Sequence, residues 1–374
     1  MMFFKSKFFS TIFLKFFNKG MVFIKNLVIG DLVANVPIIQ GGMGVGVSRS
    51  NLAGSVAKSG GIGIISGAQI GYDEPDFETN NLNANLRALR KHISKAREIS
   101  NGGIIGVNLM VAMNNYEEYV KECVNSNVDL IISGAGIPSK LPSFTKGSNV
   151  KIAPIVSSSK ACNLILKMWD KKENTTADLI VVEGPKAGGH LGFSKNDLED
   201  IESIDYDKEF VEILEIAKSY GDKYNKHIPV VAAGGISTAE DVAKYINIGA
   251  DGIQIGTRFV TTYECDAHEN YKNTYINSNF DDIEIVQSPV GLPGRAIHNK
   301  FIDDISTNRP AITKCYNCIS KCNPKDTPYC ISKALINAVS GDVENGLLFC
   351  GADAYKADKL SSVDDVISEL TSLL

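Results

Sequence analysis

Histidine is scarce in this chain, with five residues in 374. Long apolar runs are missing: no stretch approaches the roughly 18 uninterrupted apolar residues that a membrane-spanning helix requires, so a membrane is not expected as a partner. Excess positive charge is lacking too. Lys and Arg total 38 against 43 Asp and Glu, a formal charge of -5, and no long basic run follows residue 25, which argues against nucleic acid as a partner. Cysteine occurs eight times, but not as the dense framework of a small secreted domain, so a reducing cytoplasm is the expected compartment.

What is present fits a globular protein: 44% hydrophobic residues, and a length that suits one large domain with an appendage or two domains. The first 25 residues, MMFFKSKFFSTIFLKFFNKGMVFIK, stand apart with eight phenylalanines, five lysines and no acid. They read as a targeting segment, a basic amphipathic anchor or a start codon assigned too early. Against a signal peptide, Lys15 interrupts a short apolar run and no small-residue cleavage site follows. Met21 opens MVFIKNLVIGDL, an ordinary cytoplasmic start, and residues 1–26 are accordingly expected to lie outside the fold.

From Asn35 onward, short Val- and Ile-rich runs recur, each ending in Gly, Ser or Asn and most followed by a helical stretch, as buried parallel strands do. They are PIIQ (37–40), IGIIS (62–66), IIGVN (104–108), LIIS (130–133), IAPIV (152–156), DLIVV (178–182), PVVAA (229–233) and GIQIG (252–256). Eight β-α units predict an α/β fold, a TIM barrel. A doubly wound sheet is the rival, weakened because GGMGVG (41–46) lacks the G-x-G-x-x-G spacing after the first strand. Before the helix that follows the seventh strand, Ser237 and Glu240 predict a capping box.

In a barrel the residues just past each strand's C-terminal end face one mouth. That rule gathers Gln40, Gly41, Asn108, Glu183, Gly188, His190, Gly234, Gly235, Gly256 and Thr257. The glycines of AAGGIS (232–237) and QIGTRF (254–259) end the last two strands, where bare backbone N–H groups and the Thr257 hydroxyl suit a phosphate. Tight β-α turns are the plainer reading of the same glycines. One of the few histidines, His190, sits in VVEGPKAGGHLGF (181–193) at that mouth.

PIIQGGMG, GGIGIIS, GVNLM, EGPKAGGHLGF, VVAAGGI and GIQIGTRF, in that order over about residues 27 to 300, resemble the nitronate monooxygenases, formerly 2-nitropropane dioxygenases, which are FMN-dependent TIM-barrel flavoenzymes. The resemblance implies that Gly234, Gly235, Gln254, Ile255, Gly256 and Thr257 bind the phosphate and ribityl part of FMN, with Asn108, Glu183 and Gly188 near the flavin. It implies that His190, as a neutral imidazole, takes the acidic C–H proton of a nitroalkane. Glu183 departs from the Gln common in that family and is similar to the related FMN-dependent enoyl-acyl carrier protein reductases, which also share the look of SGAGIPSK (133–140), DAHENYK (266–272) and GRAIHNKF (294–301). An NAD(P)H-dependent enoyl reductase is therefore the alternative reaction, and a non-catalytic flavin-binding barrel a second alternative. The expected partner is a small-molecule substrate, a nitronate or an enoyl thioester, and a homodimer is compatible with the sequence.

Lys186 stands where both families often carry an acid and reads as a solvated loop lysine, with attraction of an anionic substrate the other option. Arg295 receives no role, and His92, His227, His268 and His298 are read as structural. The barrel is expected over 27–257 and a lid with a helical, cysteine-rich segment over 258–374. CYNCISKCNPKDTPYC (315–330) spaces Cys315, Cys318, Cys322 and Cys330 as no standard zinc or iron–sulfur signature does. Buried or redox-sensitive thiols are the preferred reading, and no metal is assigned.

Overall fold

The computed structural model describes residues 13–16 and 21–374; the expectation for the leader falls mostly outside the described residues. Eight strands run through the core: β1 (Ile38–Gln40), β2 (Ile62–Ser66), β3 (Ile104–Met110), β4 (Leu130–Gly134), β5 (Lys151–Val156), β6 (Ile180–Glu183), β7 (Val230–Ala233) and β8 (Gly252–Ile255). They stand in sequence order, all parallel, and close when β8 pairs Ile253, Gln254 and Ile255 with Ile38, Ile39 and Gln40 of β1. The expected TIM barrel is borne out, and closure rules out the open sheet.

Strand side chains alternate faces, and the Val and Ile runs use both. Ile39, Ile62, Ile64, Leu130, Ile132, Val181 and Val231 fill the barrel interior, together with Leu27 and Ile29 of a hairpin (Leu27–Ile29 with Leu32–Ala34) that plugs its N-terminal end. Ile38, Ile65, Val107, Ile131, Val182 and Ile253 point outward into the larger cluster shared with the helices.

The outer ring comprises α1 (Ser50–Lys58), α2 (Asn81–Ser100), α3 (Tyr116–Asn125), α4 (Leu141–Phe144), α5 (Ser159–Glu173), α6 (Tyr206–Tyr224), α7 (Ala239–Ile248) and α8 (Val363–Leu370). One sequence expectation shifts by a residue. The capping box of α7 is Thr238 with Asp241, not Ser237 with Glu240, because the Ser237 side chain turns to Asp353 instead, Oγ to Oδ2 at 3.2 Å.

Between β8 and α8 the chain makes a long excursion pinched at its base, where Tyr263 N donates to Ser361 O and Ser361 N to Thr261 O. The excursion supplies Ile283–Gln287 and Pro293–Ile297, which form an antiparallel sheet with Gly189–His190. It also supplies a helix, Ile331–Val339, whose Leu335 reaches the mouth. Residues 258–374 thus divide: part of the segment covers the mouth, while α8 packs beside α1 and α7 in the eighth helical position.

The cysteine-rich stretch 315–330 contains no helix; Ile319 bridges to Met113. All eight cysteines are free thiols. Among the described residues no group of three His, Cys, Asp or Glu is arranged to hold a metal, and no helix is long and apolar enough to cross a membrane.

Candidate active site

The C-terminal ends of the strands open into one cavity. The ten residues expected to act in catalysis or cofactor binding all line it: Asn108, Glu183, Gly188, His190, Gly234, Gly235, Gln254, Ile255, Gly256 and Thr257. Gly41 joins them, while Gln40 lies beneath the surface, its Oε1 accepting from Ile64 N at 3.1 Å.

At the end of β7 the glycines are required by geometry. Gly234 and Gly235 adopt φ of +87° and +77°, and a Cβ on Gly234 would stand 2.9 Å from both Ala187 Cβ and Gly184 O. The N–H groups of Gly234, Gly235 and Gly256 find no acceptor among the described residues. The three residues are half-exposed at the cavity wall, so these amides are open to an acceptor that enters it. Thr257 Oγ1 accepts from Gly351 N at 3.1 Å, which leaves its own proton free to donate. Gly188 has a different reason for lacking a side chain, since a Cβ there would stand 2.7 Å from the carbonyl carbon of Cys350.

His190 is held by the excursion. Its short strand pairs with Pro293–Ile297, its Nε2 lies 2.7 Å from Ser288 Oγ, and the Phe349 ring meets it edge-on at 4.9 Å between centroids. Burial lowers its pKa to about 4, so the ring is neutral at physiological pH. Glu183, at the end of β6, still has surface on the cavity, but the protein packed around it strips most of its water. That desolvation raises its pKa to about 7, and its carboxylate makes no hydrogen bond to any described residue.

Arg295, unassigned from sequence, is buried and donates to the carbonyls of Ala187 and Pro185, fixing the loop that joins Glu183 to His190. Lys186 proves to line the cavity rim. Sequence reading missed Ser288, Tyr271, Tyr275, Leu335, Phe349 and Cys350, which complete the far wall or brace it. Apart from Tyr271, which falls in DAHENYK (266–272), no local pattern marks them. The other histidines lie elsewhere, in contact with Ser50 (His92), Asp251 (His227), Asn270 N (His268) and Glu284 (His298).

Residues 26–372 match the nitronate monooxygenase family. The chain belongs to that family. Proteins described as probable nitronate monooxygenase in several Staphylococcus aureus strains, Newman among them, are 29% identical over 307 residues, covering 75% of this chain and 81% of theirs. The solved structure of FabK from Thermotoga maritima superimposes with a TM-score of 0.67 at 26% identity, over 90% of this chain and 91% of that one. A nitroalkane oxidase from Streptomyces ansochromogenes reaches the same TM-score at 20% identity, over 90% and 94% of the two chains, and shows the shared fold. The resemblance first seen in the strand-end motifs is borne out, and this nitronate monooxygenase family member is a flavin-dependent oxidoreductase.

Proposed function

We propose that the protein binds FMN and oxidises alkyl nitronates and nitroalkanes with oxygen, with His190 as the proton-accepting base. The observation that carries the reading is a neutral imidazole fixed inside the family's cavity: Ser288 engages Nε2, and Nδ1 has no partner among the described residues. In the tautomer protonated at Nε2, Nδ1 is the proton acceptor. Nδ1 is then the atom that would take the proton from the acidic C–H beside a nitro group.

The cradle fits FMN because a phosphate can satisfy the bare amides of Gly234, Gly235 and Gly256 and the Thr257 proton, where any Cβ at Gly234 or Gly235 would collide. Gln254, Ile255, Asn108, Glu183 and Gly188 would flank the rest of the cofactor. When bound, FMN supplies the electron-accepting and oxygen-reducing chemistry. The chain's own residues do the remainder. Arg295 holds the loop that carries Glu183 and His190 in register, and the Phe349 ring shields the imidazole from water, which keeps it neutral.

A second reading rests on Glu183. A carboxyl with a pKa of about 7 can give up a proton at neutral pH, as reduction of an enoyl thioester by NAD(P)H would require, and Glu at this position is the feature similar to the enoyl reductases. Aerobic turnover of propyl nitronate against NADH oxidation with a crotonyl thioester separates the two. Oxygen-dependent nitronate turnover without NADH is expected; NADH consumption only with the thioester would overturn the first reading.

A further inference from the structure

We propose that Lys186 is the cationic partner of the cofactor phosphate, an inference that rests on the FMN reading above. The side chain starts in the right place. Its stem lies across the face of Gly235, so that a Cβ there would stand 2.6 Å from Lys186 Cβ, 3.4 Å from Cγ and 3.2 Å from Cδ. Lys186 lines the same cavity, and its exposed ammonium lies 3.5 Å from Glu202 Oε1. The backbone beneath it is pinned, for Lys186 O accepts from Ala352 N at 3.1 Å.

The other cations around the cradle are already committed. Arg295 donates to the carbonyls of Pro185 and Ala187. Arg258 donates to Ser237 O at 2.6 Å and pairs with Glu369 at 2.7 Å. Lys356 pairs with Asp353 at 3.0 Å. Lys186 has only a loose partner, Glu202 at 3.5 Å, with the two side chains 48% and 90% exposed. An ion pair so open to water contributes little and is easily exchanged.

A phosphate monoester carries nearly two negative charges at neutral pH, whereas backbone amides and a hydroxyl provide dipoles and no net charge. Asp353, hydrogen-bonded to Ser237, adds a negative group on the same side. A mobile cation would add the net charge that the amides and hydroxyl lack and so strengthen the preference for the phosphorylated flavin, and Lys186 is the residue placed to be it.

The test compares FMN with riboflavin, which lacks the phosphate, by flavin-fluorescence titration of the full-length apoprotein. Wild-type protein is expected to prefer FMN. Lys186→Ala should weaken FMN roughly tenfold, the low end for a hydrogen bond to a charged group, and leave riboflavin affinity unchanged, which also certifies the fold. Lys186→Glu should weaken FMN further, Lys186→Arg should restore most of the preference, and added salt should erode FMN binding in wild type more than in Lys186→Ala. Equal changes for the two flavins, or no change for either, overturn the inference while leaving the cofactor reading intact. Wild-type protein that binds neither flavin overturns both.

Discussion

His190 and Glu183 face one cavity, and burial shifts both toward their neutral forms, the imidazole to about 4 and the carboxyl to about 7. The neutral imidazole is the form a base needs. His190→Asn keeps a hydrogen-bonding side chain but removes the titratable nitrogen, so turnover of a neutral nitroalkane should fall on the order of 10² to 10⁴-fold. A preformed nitronate has already lost its proton and should be affected far less; equal losses on both substrates would mean that His190 orients rather than deprotonates. Glu183 makes a separate prediction on stability. In the folded apoprotein it keeps its proton through the window from 4.5 to about 7 in which the unfolded chain has lost it, so stability falls as pH rises across that window and is level above it. Glu183→Gln should match wild type near pH 4 and exceed it at pH 8 by on the order of 2 kcal/mol, because each tenfold change in proton affinity is worth about 1.4 kcal/mol and water in the cavity relieves part of the penalty. Denaturant titrations of the two apoproteins at both pH values check this, and a wild-type protein as stable as the variant at pH 8 would contradict it.

At the scale of elements, α7 shows how nearly a sequence pattern can be right. STAED offers Ser and Thr side by side, each with an acid three residues on, and pattern alone cannot choose between Ser237 with Glu240 and Thr238 with Asp241. Tertiary contact decides, since Asp353 from the distant excursion takes the Ser237 hydroxyl. Thr238 then caps, and Asp241 Oδ2 accepts from both Ser237 N and Thr238 N at 3.0 Å. Thr238→Ala should cost about 1 kcal/mol in urea unfolding, the usual worth of an N-cap, and Ser237→Ala less. The reverse order would return the cap to Ser237. The eight strands were legible for the opposite reason: each is a run of Val and Ile buried on both faces, a pattern set by local composition. His190 and the glycine turns were legible because they directly follow such runs. Ser288 and Phe349 were not, for they reach the imidazole from 98 residues away in one case and from beyond the cysteine-rich stretch in the other, by contacts that only the folded excursion creates.

For the whole molecule, the chain leaves the barrel after β8 and comes back for one more helix. The excursion's ends are hydrogen-bonded together at Thr261, Tyr263 and Ser361, so the cover over the mouth is tied to the barrel at its base rather than appended to it. Helical periodicity near the C-terminus could not tell a lid helix from α8, since both bury one face. Packing tells them apart. Val363, Val366, Ile367 and Leu370 are at most 2% exposed and belong to the main core with Leu52, Val56 and Val242 of α1 and α7. Arg258, from the turn after β8, binds Glu369 of α8, and Ser59, just past α1, contacts Asp364 at 2.5 Å. Removing residues 363–374 should therefore expose apolar faces of α1 and α7 and leave the barrel unable to fold as a soluble unit. Leu370→Ala, a milder lesion, should cost about 2–5 kcal/mol, the usual range for a buried leucine. It should not alter the relative affinities for FMN and riboflavin, because Leu370 packs in the helical ring and takes no part in lining the cavity. Retention of wild-type solubility and denaturation midpoint by the truncated chain would show that α8 is an appendage and that the ring closes without it.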